Sequence, residues 1–121
     1  MELTLDPNKP KNFIRNYENN KLYIGKTIFS HNLLISDKSI GKWVINDISN
    51  LVNDDMKDIL LFKPEIIIIG TGESQIMPSN EIINFIHDKK IGLEFMITES
   101  ACKTFNLLIS EGRKVVAGLI V

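Results

Sequence analysis

A glycine pair follows directly on the most apolar stretch of the chain, Ile66-Ile67-Ile68-Ile69-Gly70-Thr71-Gly72. Glycines at the carboxyl end of a buried strand let backbone amides approach an anion, and open α/β sheets bind ligands at that edge. The pattern is not a dinucleotide fingerprint. Gly70-Thr71-Gly72-Glu73-Ser74-Gln75 lacks the third glycine of G-x-G-x-x-G, and Pro78 delays the next helix. The Gly-Lys-Ser/Thr ending of a P-loop is missing as well. The competing reading of Gly70-Thr71-Gly72 is a tight turn that needs positive φ.

A second candidate is Thr98-Glu99-Ser100-Ala101-Cys102. Thr98 ends an apolar segment and can cap the helix that follows. That places Cys102 in the first turns, where the positive end of the helix dipole lowers a thiol pKa. Nucleophilic chemistry needs an exposed thiol with a basic partner. The only histidines are His31, in an expected strand, and His87, near an expected helix end. The competing reading makes Cys102 a small apolar side chain on the core face of its helix. Arg113 is a third candidate, one of two arginines, placed at the turn after Glu111-Gly112. It could clamp a carboxylate on a ligand or partner, or serve as a helix-end cation or in an internal ion pair. The candidate pocket is thus Gly70, Thr71, Gly72, Thr98 and Cys102, with Arg113 in addition. The carboxylates Glu65, Glu73, Glu94, Glu99 and Glu111 are dispersed, and Asp54-Asp55 sits at an expected helix start. No pairing for acid–base work is readable from that spacing. One cysteine and two distant histidines make no metal-ligand pattern, and no cofactor is expected.

These residues need elements to hold them. Leu22-Tyr23-Ile24 and Phe13-Ile14 flank the turn-like Glu18-Asn19-Asn20-Lys21. Thr27 to Ile35 alternates with period two and reads as one strand, and Ile40 to Val44 as another, with Trp43 as a core anchor. Asn53 to Phe62 has helical spacing, with Asn53 or Asp54 as cap and Pro64 as stop. Glu65 to Ile69 is apolar on both faces, as a helix-covered central strand requires. Ser79 caps a helix that buries Ile82, Ile83, Phe85 and Ile86. Leu93 to Ile97 is a strand. Glu99 to Glu111 is a helix with Ala101, Cys102, Phe105, Leu108 and Ile109 on one face, ended by Gly112 with Arg113-Lys114 at its negative end. Val115 to Val121 is the last strand. The expected fold class is therefore α/β. It is one layered domain over residues 13–121 with a mixed central sheet, N-terminal antiparallel strands and a C-terminal βαβαβ. Met1 to Asn12, with Pro7 and Pro10, reads as a loose arm.

Composition narrows the function classes. The chain has 121 residues, 44% hydrophobic and 24% charged, with a net charge of −1. That is the balance of one ordinary globular domain. No basic excess exists to neutralise phosphates, so nucleic acid is not an expected partner. The longest apolar runs are far too short to span a bilayer, so no membrane insertion is expected. A lone cysteine and no leader-like start point to a reducing compartment, and the expected localisation is cytoplasmic.

Finally, several segments resemble one known family in order and spacing. They are Pro64 to Gly72 with Gln75 and Pro78, Glu94-Phe95-Met96-Ile97-Thr98, Ala101-Cys102-Lys103-Thr104-Phe105-Asn106-Leu107-Leu108, and Glu111-Gly112-Arg113-Lys114-Val115. Tyr17 and Trp43 fit more loosely. The family is one of small α/β domains that includes the mitochondrial complex I assembly factor 3-type proteins and an adipogenesis-associated protein. Lys103 and Phe105 stand where that family usually carries Arg and Tyr. The resemblance implies a three-layer fold with a mixed sheet and no established catalysis. It implies a non-enzymatic protein-binding role, with respiratory complex subunits as partners. The alternatives are a small-ligand binder or enzyme using the candidate pocket, and a homo-oligomeric structural module.

Overall fold

The computed structural model describes residues 10–121. Ile14–Glu18 (β1) and Lys21–Ile24 (β2) form an antiparallel hairpin whose turn residues, Asn19 and Asn20, lie at φ 52° and 59°. Two successive positive φ angles give the turn the twist that hairpin strands need, and asparagine tolerates them. Thr27–Phe29 (β3) pairs with the far side of β2. The expected single strand over Thr27 to Ile35 is in fact two, because Leu33–Ile35 (β4) enters a different sheet. Asn32 makes the corner. Its backbone carbonyl accepts from the Trp43 amide at 3.0 Å, and its side-chain carbonyl accepts from the Val121 amide at 3.0 Å.

Ile40–Lys42 (β5) follows. The expected helix from Asn53 to Phe62 is a 3-10 turn, Asn53–Met56, leading into Lys57–Leu60 (α1). Its capping carboxylate is Asp55, which accepts from the Val52 amide at 2.9 Å, rather than Asn53 or Asp54. Then come Ile66–Gly70 (β6), Asn80–His87 (α2), Gly92–Met96 (β7), Thr98–Ser110 (α3) and Val115–Leu119 (β8). Ser79 caps α2 as expected, accepting from the Ile82 amide at 3.3 Å.

The second sheet has the order β5-β4-β8-β6-β7. β4 is antiparallel to β5 and β8, and β6 is parallel to β7 and β8, so the sheet is mixed. The two C-terminal crossovers step in opposite directions and use opposite faces, as one hand of crossover requires. Side-chain parity then divides the core. Ile67, Ile69, Val116 and Leu34 pack with Trp43, Met56, Ile59, Ile82 and Ile86 on the α1–α2 side. Ile68, Val115, Ala117, Leu119, Leu33 and Ile35 pack with Ala101, Cys102, Phe105 and Ile109 of α3. The hairpin sheet closes that same side through Ile14, Leu22 and Ile24. This is the expected three-layer α/β domain. Ile67, Ile68 and Ile69 are fully buried, and each such side chain stabilises the fold by roughly 1.5–3 kcal/mol.

The expected arm over Met1 to Asn12 lies outside the described residues as far as Lys9. Beyond it, the Lys11 ammonium donates to the Ile109 carbonyl at 2.7 Å and the Asn12 amide to the Asp37 carbonyl at 2.7 Å. On the other side of the sheet the Trp43 ring lies flat against Gly118, where a β-carbon would stand 2.8 Å from a ring carbon.

Candidate functional site

The carboxyl end of β6 and the start of α3 meet, as the sequence pattern requires, and the meeting is closed by hydrogen bonds. Gly70 passes so near Thr98 that an added β-carbon would lie 3.0 Å from its α-carbon and its hydroxyl. Glycine is needed there for approach, and at Gly72 for a φ of 92°. The Thr71 amide donates to the Met96 carbonyl at 2.8 Å, and its hydroxyl donates to Ser74 at 2.6 Å and accepts from the Ile76 amide at 3.2 Å. The Gly72 amide donates to the Thr98 hydroxyl at 2.8 Å, and the Thr98 amide donates back to the Gly72 carbonyl at 2.9 Å. The Thr98 hydroxyl in turn donates to the Ile120 carbonyl at 2.7 Å. Thr98 therefore does not cap α3. Ile97 holds the cap position without a side-chain bond, and Thr98 instead ties β6 to the chain after β8. The amides that could have cradled an anion, those of Thr71 and Gly72, donate within the protein.

Cys102 is 5% exposed and sits on the core face of α3. Burial, reinforced by the Glu99 carboxylate one turn earlier, pushes its thiol up to about 12. His87 lies on α2, across the sheet from α3. His31 packs edge-on against Phe29 with ring centroids 5.9 Å apart. Relative to an ordinary thiol near 9.0, a value of about 12 leaves about a thousandfold less thiolate at neutral pH. Native protein is therefore expected to react with a thiol probe on the order of a thousandfold more slowly than unfolded chain. Rapid labelling of the native state would overturn the assignment. The sign of the pH effect follows. The folded state holds the proton more tightly than the unfolded chain, so this stabilisation is complete below pH 9.0 and is lost as pH rises towards about 12. Cys102→Ala should flatten that alkaline decline.

Arg113 is not part of this region. It lies at the opposite end of β8, about 20 Å from the Gly70 turn at the rise per residue of a strand. Gly112, at φ 78°, ends α3 with its amide bonded to the Ile109 carbonyl at 3.1 Å and the Arg113 amide to the Leu108 carbonyl at 3.0 Å. That pair of bonds is a Schellman closure. The Arg113 side chain then turns away from the helix end and donates to the Glu65 carboxylate at 2.8 Å. This bond, together with one from the Lys114 amide, lowers the Glu65 pKa below the usual carboxylate range.

Of the candidate residues, Gly72, Cys102 and Arg113 border open space, Arg113 in a separate cleft with Pro64, Gly112 and Lys114. Gly72 lines a cleft with Tyr17, Glu73, Ile97 and Glu99. Cys102 lines a neighbouring one of about 320 Å³ between β1 and α3, with Tyr17 and Glu99 shared between the two. The wall of the second cleft includes Arg15, Lys103 and Asn106, which the sequence reading did not select as a site. A signal existed: Glu99, Cys102, Lys103 and Asn106 recur at the spacing of one helix stripe, beside the core stripe. Among the described residues, no three His, Cys, Asp or Glu side chains converge to hold a metal. No helix among them is long and apolar enough to cross a membrane.

The fold and this turn define a class, a small mixed-sheet α/β domain whose glycine turn is locked by a buried threonine. The family model described as "Protein of unknown function (DUF498/DUF598)" matches residues 14–120, and the chain belongs to that family. It is 36% identical over 105 residues to the "13 kDa major membrane protein" of Francisella tularensis, covering 85% of each chain. It is also 36% identical over 87 residues to "NADH dehydrogenase [ubiquinone] 1 alpha subcomplex assembly factor 3" of Drosophila melanogaster, covering 69% of this chain. The chain spans 44% of the length of that relative. A crystal structure from Bordetella parapertussis matches the fold with a TM-score of 0.87 at 24% identity, over 94% of this chain and 98% of that one. A Mth938-like domain from Bordetella pertussis matches with a TM-score of 0.81 at 21% identity, over 99% and 92% of the two chains.

Proposed function

We propose that this protein is a non-enzymatic protein-binding domain that serves the assembly of the respiratory NADH dehydrogenase, with subunits of that complex as partners. The observation that carries the reading is the 36% identity to an assembly factor of that complex, over 69% of this chain. A human protein of the same name is 30% identical over 68% of the chain and gives the same support. The geometry favours binding over catalysis. The glycine turn spends its amides internally, and the thiol keeps its proton.

Tagged, intact protein expressed in its own cells is expected to co-purify NADH dehydrogenase subunits, and deletion of the gene to lower the level of the assembled complex. Normal levels in the deletion strain together with no subunits recovered would overturn the assembly role. We place the site of action in the cytoplasm, with binding to the complex from the aqueous side. The Francisella relative carries "membrane protein" in its name, which makes fractionation informative. Release of the protein from membranes by salt or carbonate fits the reading. Retention that only detergent reverses contradicts it. A self-associating module would instead show a mass in solution that rises with concentration.

A further inference from the structure

The open space beside α3 is built from both of its neighbours. β1 carries a bulge between Ile14 and Asn16, where its register against β2 shifts. Bulges of this kind bend a strand and re-aim its side chains. Here the bend is fixed against the helix by Asn106. Its side-chain carbonyl accepts from the Ile14 amide at 2.8 Å and its side-chain amide donates to the Ile14 carbonyl at 2.8 Å. One side chain thus satisfies both backbone groups of Ile14, and the cleft opens alongside it. Its volume of about 320 Å³ falls at the lower end of small-molecule sites, roughly 300–1,000 Å³.

The lining is rich in donors. Arg15 is oriented by a bond from Nε to the Gly25 carbonyl at 2.8 Å. Lys103 is exposed at the rim, and neither its ammonium nor the Tyr17 hydroxyl has an internal partner among the described residues. Burial, with the Cys102 thiol and Glu73 nearby, raises the Tyr17 pKa, so the phenol stays protonated and can donate. Cys102 holds its proton for similar reasons. Asn16 donates its amide to Glu18 at 2.8 Å. The one carboxylate in the lining is Glu99, a turn before Lys103 on the helix. Glu18, which accepts from Asn16, and Glu73, beside Tyr17, lie just outside the lining, so the positive charge is confined to Arg15 and Lys103. That favours one compact negative group there and disfavours a polyanion.

We propose that the β1–α3 cleft binds a small ligand bearing one compact oxyanion, a carboxylate or a phosphate, seated on Lys103 and Arg15 with the Tyr17 hydroxyl donating to it. The part of the ligand nearest Glu99 is neutral or cationic. This site is separate from the assembly reading and stands or falls without it. It also differs from the glycine turn, whose amides are already engaged.

The test is titration of isotope-labelled intact protein with acetate and, separately, with inorganic phosphate, at constant ionic strength held by chloride. Saturable amide shifts confined to Ile14–Tyr17 and Glu99–Asn106 are expected. Acetate alone saturating assigns a carboxylate, and phosphate alone assigns a phosphate group. Lys103→Met should weaken binding about tenfold, the usual loss of a charge-assisted contact. Lys103→Arg should retain binding, and Tyr17→Phe should weaken it less than Lys103→Met. Lys89→Met, on the far face, should change nothing. Absence of saturation by either anion overturns the proposal. Shifts that map elsewhere, or that Lys103→Met leaves unchanged while its spectrum stays native, overturn it equally.

Discussion

Replacing Thr98 by valine is expected to lower the unfolding free energy by roughly 2–4 kcal/mol, because two backbone groups lose their partner at once. Valine nearly matches threonine in shape, so no cavity forms and the loss isolates the hydroxyl. That hydroxyl accepts from the Gly72 amide at 2.8 Å and donates to the Ile120 carbonyl at 2.7 Å, in a residue with 0% exposure. At roughly 4 °C per kcal/mol for a domain of this size, the melting temperature should fall by about 10 °C. Thr98→Ser keeps the hydroxyl and removes one methyl group, so it should cost about 1 kcal/mol. Urea unfolding of the two variants distinguishes the causes. If Thr98→Val unfolds at the wild-type midpoint, the turn is held by packing alone and the hydroxyl is incidental.

Gly118→Ala is expected to cost about 1–3 kcal/mol, the range for overpacking a filled core. A β-carbon there would meet three Trp43 ring atoms at 2.8–3.0 Å. The ring is not free to swing away. Trp43 is 2% exposed, and its indole nitrogen donates to the Asp55 carbonyl at 3.3 Å. Alanine normally gains several tenths of a kcal/mol over glycine in a strand, and the clash must exceed that gain. Trp43 is the only tryptophan in the chain, so its emission reports the displaced ring directly. In a Trp43→Leu background the same Gly118→Ala change should cost little, since the obstacle is gone. An unchanged cost in that background would assign the effect to the backbone of β8 rather than to the ring.

The C-terminal half of the fold was legible because its signals are local. Ile66 to Ile69 carries apolar residues at both parities, which only a strand covered on both faces uses. The α3 face from Ala101 to Ile109 shows helical spacing, and Gly112 marks its end. What periodicity cannot carry is sheet membership. Thr27 to Ile35 alternates without interruption, yet the chain leaves one sheet and enters another at Asn32, because two distant partners, Trp43 and Val121, bond there. The candidate site was legible in the same measure. Gly70 and Thr98 were rightly placed together by strand order. The role of Thr98 was misread, since its bonds to Gly72 and Ile120 span 26 and 22 positions. Arg113 was drawn off by Glu65, 48 positions away. Asn106 looks like any polar helix residue until β1 is laid beside it.

The placement of β8 bears on how the protein is made. This strand follows the other described strands in sequence, yet it lies between β4 and β6 and joins the antiparallel part of the sheet to the parallel part. Until it leaves the ribosome, two apolar strand edges have no neighbour, and the core cannot close around them. Such late, long-range closure slows folding and exposes nascent chains to aggregation. Until then the facing edges of β4 and β6 are the ones open to pairing with another chain, and β8 is what covers them.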